Sequence, residues 1–136
     1  MNFIIRGTPA SRGLAHGSVK VVREWTVGLT LQRGTVLVTR FPLTTLTPLL
    51  NQAVALVCGY GGMLSALVTI AREYRLPVVM GLGDAIEQLS DGDEVWVDGM
   101  SGIVSSFNPR GAWWVSVQDM VRLSPANEDV LLTAAD

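Results

Sequence analysis

The stretch best equipped for chemistry is Gly59-Tyr-Gly-Gly-Met-Leu-Ser-Ala-Leu-Val-Thr-Ile-Ala-Arg-Glu73. An apolar run, Ala53 to Val57, ends just before it, glycines make a tight loop, and helical spacing begins near Ser65. A strand–glycine–helix junction presents free backbone N–H groups and the positive end of a helix dipole, a seat for an anion such as phosphate. Gly61 and Gly62 let such a group approach the backbone. Ser65 adds a hydroxyl and a helix cap, and Arg72 a guanidinium fork that suits phosphate. The same junction also serves simply to turn a chain, and the GK[ST] ending of a P-loop is missing here.

Other candidates carry less. His16, the only histidine, reads as an exposed or hydrogen-bonded loop residue ahead of a strand. One histidine and one cysteine do not supply the usual metal-ligand sets. Cys58 follows the apolar run and reads as a buried structural thiol. Asp91, Asp93 and Asp98 read as turn residues around a strand, not as a catalytic carboxylate pair. Ser65 has no base near it in sequence to make it a nucleophile. Arg72 and Glu73 also fit a structural salt bridge anchoring the helix. Trp113 and Trp114 read either as part of a helix packing back on the domain or as a docking face for a partner.

These residues need positioning elements, and the pattern supplies them. Strands are expected at Gly17–Val22, Thr35–Thr39, Ala53–Val57, Val78–Met80, Glu94–Val97 and Gly102–Ser105, the last two joined as a hairpin across Asp98-Gly-Met-Ser-Gly. The best helix runs from Ser65 to Tyr74, with Leu67, Ile70, Ala71 and Tyr74 at helical spacing. Shorter helical pieces are expected at Thr44–Leu50, interrupted by Pro48, and at Asp84–Leu89. Asn108 and Pro109 fit the cap and first position of a last helix, with Trp113, Val117, Met120 and Val121 on one face.

The composition bounds what such a fold does. With 136 residues, 49% of them apolar and 16% charged, the chain fits one dry globular domain. A net charge of -2 and a single lysine, Lys20, argue against a nucleic-acid surface. No apolar stretch is long enough to span a bilayer, and Met1 to Gly7 is unlike a signal peptide. One cysteine excludes an internal disulfide, so the cytoplasm is the expected location.

At this point the residues resemble a known family. Gly61-Gly62-x-x-Ser65-x-x-x-x-x-Ala71-Arg72-Glu73, followed by Leu76-Pro77-Val78-Val79-x-Gly81, is similar to the signature of the mobile, swivelling phosphohistidine domain of the PEP-utilising enzymes. The opening Gly7-Thr-Pro-Ala-Ser-Arg-Gly-Leu-Ala-His-Gly17, the strand Gly34-Thr-Val-Leu-Val-Thr39 and the closing Leu89-to-Val104 segment resemble that family's other landmarks, in the same order. The resemblance implies an α/β fold of the swivelling β/β/α type over residues 1–107, with 108–136 a helical extension packed on the domain or a partner.

It also implies an activity. In the family a histidine at the helix start takes phosphate at one active site and carries it to another. In this chain that position is Ala66, and a methyl group cannot accept a phosphoryl group. Ala66 fits either an engineered knock-out or a naturally degenerate member. The implied role is a stand-alone carrier subunit of a PEP-utilising type phosphotransferase, inactive as written, with Gly61, Gly62, Ser65 and Arg72 as the phosphate bed. No cofactor is expected on the chain itself. ATP or PEP and magnesium belong to nucleotide-binding and acceptor-binding partner subunits, and homo-oligomerisation stays open. The alternative is a non-catalytic interaction or regulatory subunit. A third reading, a small lyase subunit with an aconitase-like swivelling fold, lacks a convincing set of substrate-binding polar groups.

Overall fold

Short β-branched runs between glycines and prolines set the strands of this chain. The computed structural model describes residues 2–23 and 28–110. Its strands are β1 (Ile4–Arg6), β2 (Thr8–Ser11), β3 (Leu14–Val21), β4 (Thr35–Thr39), β5 (Ala53–Cys58), β6 (Val78–Met80), β7 (Glu94–Asp98) and β8 (Ile103–Ser105). The helix α1 (Ala66–Glu73) and two 3-10 segments, Thr44–Gln52 and Gly83–Gln88, accompany them.

All eight strands form one mixed sheet in the order β1-β8-β7-β3-β4-β5-β6-β2. The central four, β3 to β6, run parallel. The flanking pairs are antiparallel. Only Gly7 separates β1 from β2, yet these strands stand at opposite ends of that order. The sheet must therefore curl until its ends meet. Gly7 donates its N–H to the Gly102 carbonyl at 2.8 Å, and a Cβ there would stand 2.4 Å from the Met80 carbonyl oxygen. No larger residue fits that corner.

Period-2 alternation divides the core in two. Ile5, Val36, Val38, Val57, Val95 and Val97 fill the inside of the curl, closed off by Leu82, Ile86 and Leu89. The outward residues Leu37, Leu56, Cys58, Val78 and Met80 lie beneath Leu67, Val68 and Ala71 of α1 and Leu46, Leu49 and Leu50 of the first 3-10 segment. Each leucine or valine so buried contributes roughly 1.5–3 kcal/mol.

Strands β4 to β8 lie within a residue of their expected positions. Strand β3 starts earlier, at Leu14, which corrects the placement of His16: it lies within the strand, not in a loop. Strands β1 and β2 were not expected; both are short, and Pro9 is tolerated because β2 is an edge strand. Thr44–Gln52 winds as a 3-10 segment around Pro48, which has no N–H to donate to an α-helical ladder. The buried face of α1 is Leu67, Val68 and Ala71, while Tyr74 is its exposed C-cap. Asn108 accepts the Arg110 N–H at 2.9 Å. Trp113, Trp114 and the rest of the expected last helix lie outside the described residues. No helix among the described residues is long and apolar enough to cross a membrane.

Candidate functional site

The helix start is built by Ser65. Its backbone is extended (φ -63, ψ 149), and its hydroxyl accepts the Val68 N–H at 3.3 Å. The Ser65 N–H in turn donates to the Gly62 carbonyl at 3.1 Å, closing a turn over residues 62–65. Such a cap stabilises a helix by about 1 kcal/mol. The next two residues, Leu67 and Val68, are fully buried, so α1 is pinned by its first turn. Ala66 is the first helical residue and is exposed. The first-turn amides around it are those a helix cannot satisfy internally.

The two glycines of the loop are held differently. Gly61 has φ +106, and a Cβ there would meet the Pro42 ring at 2.6 Å, whereas a Cβ on Gly62 would meet nothing within 4 Å. Gly61 is therefore a structural necessity. Gly62 leaves open backbone beside Ala66.

Gly61, Gly62, Ser65 and Ala66 thus share one corner. Arg72 stands apart, about 9 Å along the helix at 1.5 Å per residue. Its Nε donates to the Ala10 carbonyl at 2.8 Å, which ties α1 to β2. The salt bridge considered for Arg72 and Glu73 is not formed: the ion pairs among the described residues are Lys20–Asp91, Arg40–Glu87 and Arg110–Asp98.

The corner lies at the carboxyl ends of parallel strands, where open α/β sheets gather their sites. The Tyr60 N–H bonds to the Arg40 carbonyl at 2.7 Å and the Gly83 N–H to the Gly59 carbonyl at 2.7 Å, so the loops after β4, β5 and β6 lie side by side. The rim they form escaped the sequence reading. Phe41 stacks on Tyr60 with centroids 5.5 Å apart, and the Arg40 guanidinium lies over the same ring. Arg40 also pairs with Glu87. The Tyr60 hydroxyl donates to Asp84, a bond that raises the phenol's pKa above its usual value. Beside this polar rim, Leu64 is 92% exposed, with Phe41 at 51% and Met63 and Leu43 at 41% each. The available signal was the position of Arg40-Phe41-Pro42 directly after a parallel strand.

The remaining candidates are structural. Exposed His16 stacks on Trp96, centroids 4.5 Å apart and planes 19° from parallel. Cys58 is buried, and desolvation pushes its thiol up to about 12. Asp91 accepts the Val21 N–H, which lowers its pKa. Burial pushes the Asp98 carboxyl up, but the Arg110 guanidinium and the Met100 and Ser101 N–H groups outweigh it and hold the group below the ordinary carboxylate value.

Residues 31–102 match the family described as "PEP-utilising enzyme, mobile domain". The phosphoenolpyruvate synthase of Aeropyrum pernix is 41% identical over 104 residues, 74% of this chain and 12% of that protein. The rifampicin phosphotransferase of Bacillus subtilis is 35% identical over 103 residues, 76% of this chain and again 12% of the relative. This chain therefore spans a small fraction of the curated relatives it matches. In three dimensions it resembles Thermococcus kodakaraensis aconitase X, with a TM-score of 0.54 at 19% identity, covering 74% of this chain and 95% of that one. That likeness concerns the fold alone. The curled sheet with α1 on its outside, the glycine corner and the matched segment place the chain in one family: it belongs to the mobile domain family of the PEP-utilising enzymes.

Proposed function

We propose that this chain is the phosphate-carrier module of a PEP-utilising type phosphotransferase in which the carrier residue is replaced, so that it docks and swivels but transfers nothing. One observation carries the reading: an exposed methyl group, Ala66, stands at the head of α1, beside the Ser65 cap and the open backbone of Gly62. A donor imidazole there would have its lone pair free for phosphorus and its phosphorylated form, a dianion, set against the helix N-terminus. Nucleotide-binding and acceptor-binding partners supply ATP or PEP with magnesium. The relatives' names, a synthase of phosphoenolpyruvate and a phosphotransferase, support this class of chemistry.

The test restores the side chain. With Ala66→His and the partner enzymes that co-purify with it, labelled ATP or PEP should place an acid-labile, base-stable label on residue 66. The imidazole nitrogen forms the N–P bond as the donor's bridging P–O bond breaks, its electron pair leaving on the donor oxygen. The Ala66 chain should stay unlabelled. A folded Ala66→His chain that takes no label from either donor sinks the carrier reading.

A second reading, a binding or regulatory module, is favoured by the nearly bare Leu64 and its apolar neighbours, because such a rim suits contact with a partner whatever residue 66 does. It expects the Ala66 chain to hold a partner stably and change that partner's activity.

A further inference from the structure

Four of the seven large apolar side chains left exposed among the described residues stand together: Phe41, Leu43, Met63 and Leu64. Phe41 stacks on Tyr60, and a Cβ on Gly61 would touch the Pro42 ring, so the loops after β4 and β5 make one surface. That surface carries no charge. Between Arg40 and Arg72 the sequence holds no Asp, Glu, Lys, Arg or His. The border of the surface holds both signs, with Arg40 paired to Glu87 and Asp84 bonded by the Tyr60 hydroxyl.

Within the patch the relief is uneven. Leu64, 92% exposed, is covered by almost nothing of its own copy. The residues around it are small: Gly61, Gly62 and Ala66 are exposed, and a Cβ on Gly62 would meet nothing within 4 Å. A knob thus stands beside a hollow. Such a pair on one surface fits a second copy turned by 180°, because a two-fold axis sets the knob of each copy on the hollow of the other. The border suits the same operation. Arg40 of one copy can face Glu87 or Asp84 of the other, where a border of one sign would repel itself. The net charge of -2 adds little repulsion between copies. A different protein would be selected by charge register across the contact, and the centre of this patch offers none.

We propose that two copies of this chain pair through this corner, the Leu64 side chain of each seated over Gly62 and Ala66 of the other. The contact suits the methyl group of Ala66, since a larger side chain at the head of α1 would fill the seat. Pairing is separate from the carrier reading and competes with it: a second copy covers the residue that would have to enter a partner's active site.

Sedimentation of the full-length chain tests the pairing. A patch of this size makes a weak contact, so the chain should pass from monomer to dimer between about 1 µM and about 1 mM. Leu64→Asp should raise the dissociation constant about 30-fold or more, as loss of an interface anchor does. Ala66→His should raise it about 10-fold by filling the seat. Ile4→Asp, which changes an exposed apolar residue on β1, should leave it unaltered. Leu64 is almost bare in the single copy, so the melting temperature of Leu64→Asp at the monomeric end of the range should match the parent's. A chain that stays monomeric throughout, or a dimer that survives Leu64→Asp, would each overturn the proposal. So would a monomer that binds phosphatidylglycerol vesicles through Leu64, which would make a lipid surface the occupant.

Discussion

The two halves of the outer sheet surface are built from different sequence, and the difference shows where the site is held. Over β4, β5 and β6 the outward residues are buried, and all but Thr35 and Thr39 are apolar, because α1 and the first 3-10 segment lie on them. Along β3 and β7 the outward His16, Ser18, Lys20, Glu94 and Trp96 are exposed or half-exposed and linked by Ser18–Glu94 and His16–Trp96 contacts, with Asp98 at the end of the row buried. The glycine corner and Ala66 sit on the first half. Their geometry is a consequence of core packing: the helix cannot shift without opening the layer beneath it.

Leu67→Ala should break that arrangement most severely. It removes a fully buried side chain next to Ala66, and urea unfolding should show a loss of about 2–5 kcal/mol. Ser18→Ala on the other half removes only an exposed hydroxyl bond to Glu94 and should stay within about 0.5 kcal/mol. Equal losses would mean that both halves hold the fold equally.

Within the covered half the glycines sharpen the contrast. Gly61→Ala meets the Pro42 ring and a φ of +106, so it should cost about 1–3 kcal/mol. Gly62→Ala meets open space and should leave stability unchanged. In an Ala66→His background the order of effects should reverse for Gly62: an added methyl beside residue 66 slows phosphoryl loading without unfolding anything. Loading rates against melting temperatures for the two variants make the measurement.

The same contrast explains what could be read from sequence. Val36 to Val38, Ala53 to Cys58 and Val78 to Met80 are uninterrupted apolar runs because both of their faces are covered. Glu94-Val-Trp-Val97 alternates, with Val95 and Val97 buried while Glu94 is exposed and Trp96 half-buried among the described residues. The Ser65 cap was legible from its place before an apolar period, and the helix begins one residue later. Strands β1 and β2 were not, since three or four residues carry too little pattern and their pairing depends on the sheet curling around Gly7. The rim of Arg40, Tyr60, Asp84 and Glu87 was hidden for a related reason. Its members come from two loops and the second 3-10 segment, and only the order of the parallel strands brings them together.

On the other half, the Asp98–Arg110 pair gives the next effect in size. Folding holds the Asp98 carboxyl below its ordinary value. Its contribution to stability is therefore complete above the unfolded carboxylate value and is lost as pH falls through the lowered folded one. The Arg110 side chain is 43% exposed, which screens the pair, so Asp98→Asn should cost about 1–2 kcal/mol at neutral pH. The variant should lose the acid-side slope that this group adds to the parent's stability profile. A parent and variant with parallel profiles from neutral to strongly acidic pH would show that the pair contributes nothing there.

The smallest effect returns to the covered half, at the far end of α1. The Leu76 N–H bonds to the Ala71 carbonyl at 3.0 Å and the Arg75 N–H to the Arg72 carbonyl at 2.9 Å, the two hydrogen bonds of a Schellman cap. The residue that must take the left-handed conformation in that cap is Arg75, at φ 60. A side chain there costs about 1–2 kcal/mol that glycine would not, while glycine gives back part of the gain through its freer unfolded chain. Arg75→Gly should therefore raise stability by about 0.5–1 kcal/mol, read as a small rise in melting temperature. Arg75 is exposed and lies at the opposite end of the helix from Ala66, so label uptake in the Ala66→His background should not change. A drop in stability would show that the guanidinium makes a contact worth more than the strain of its backbone.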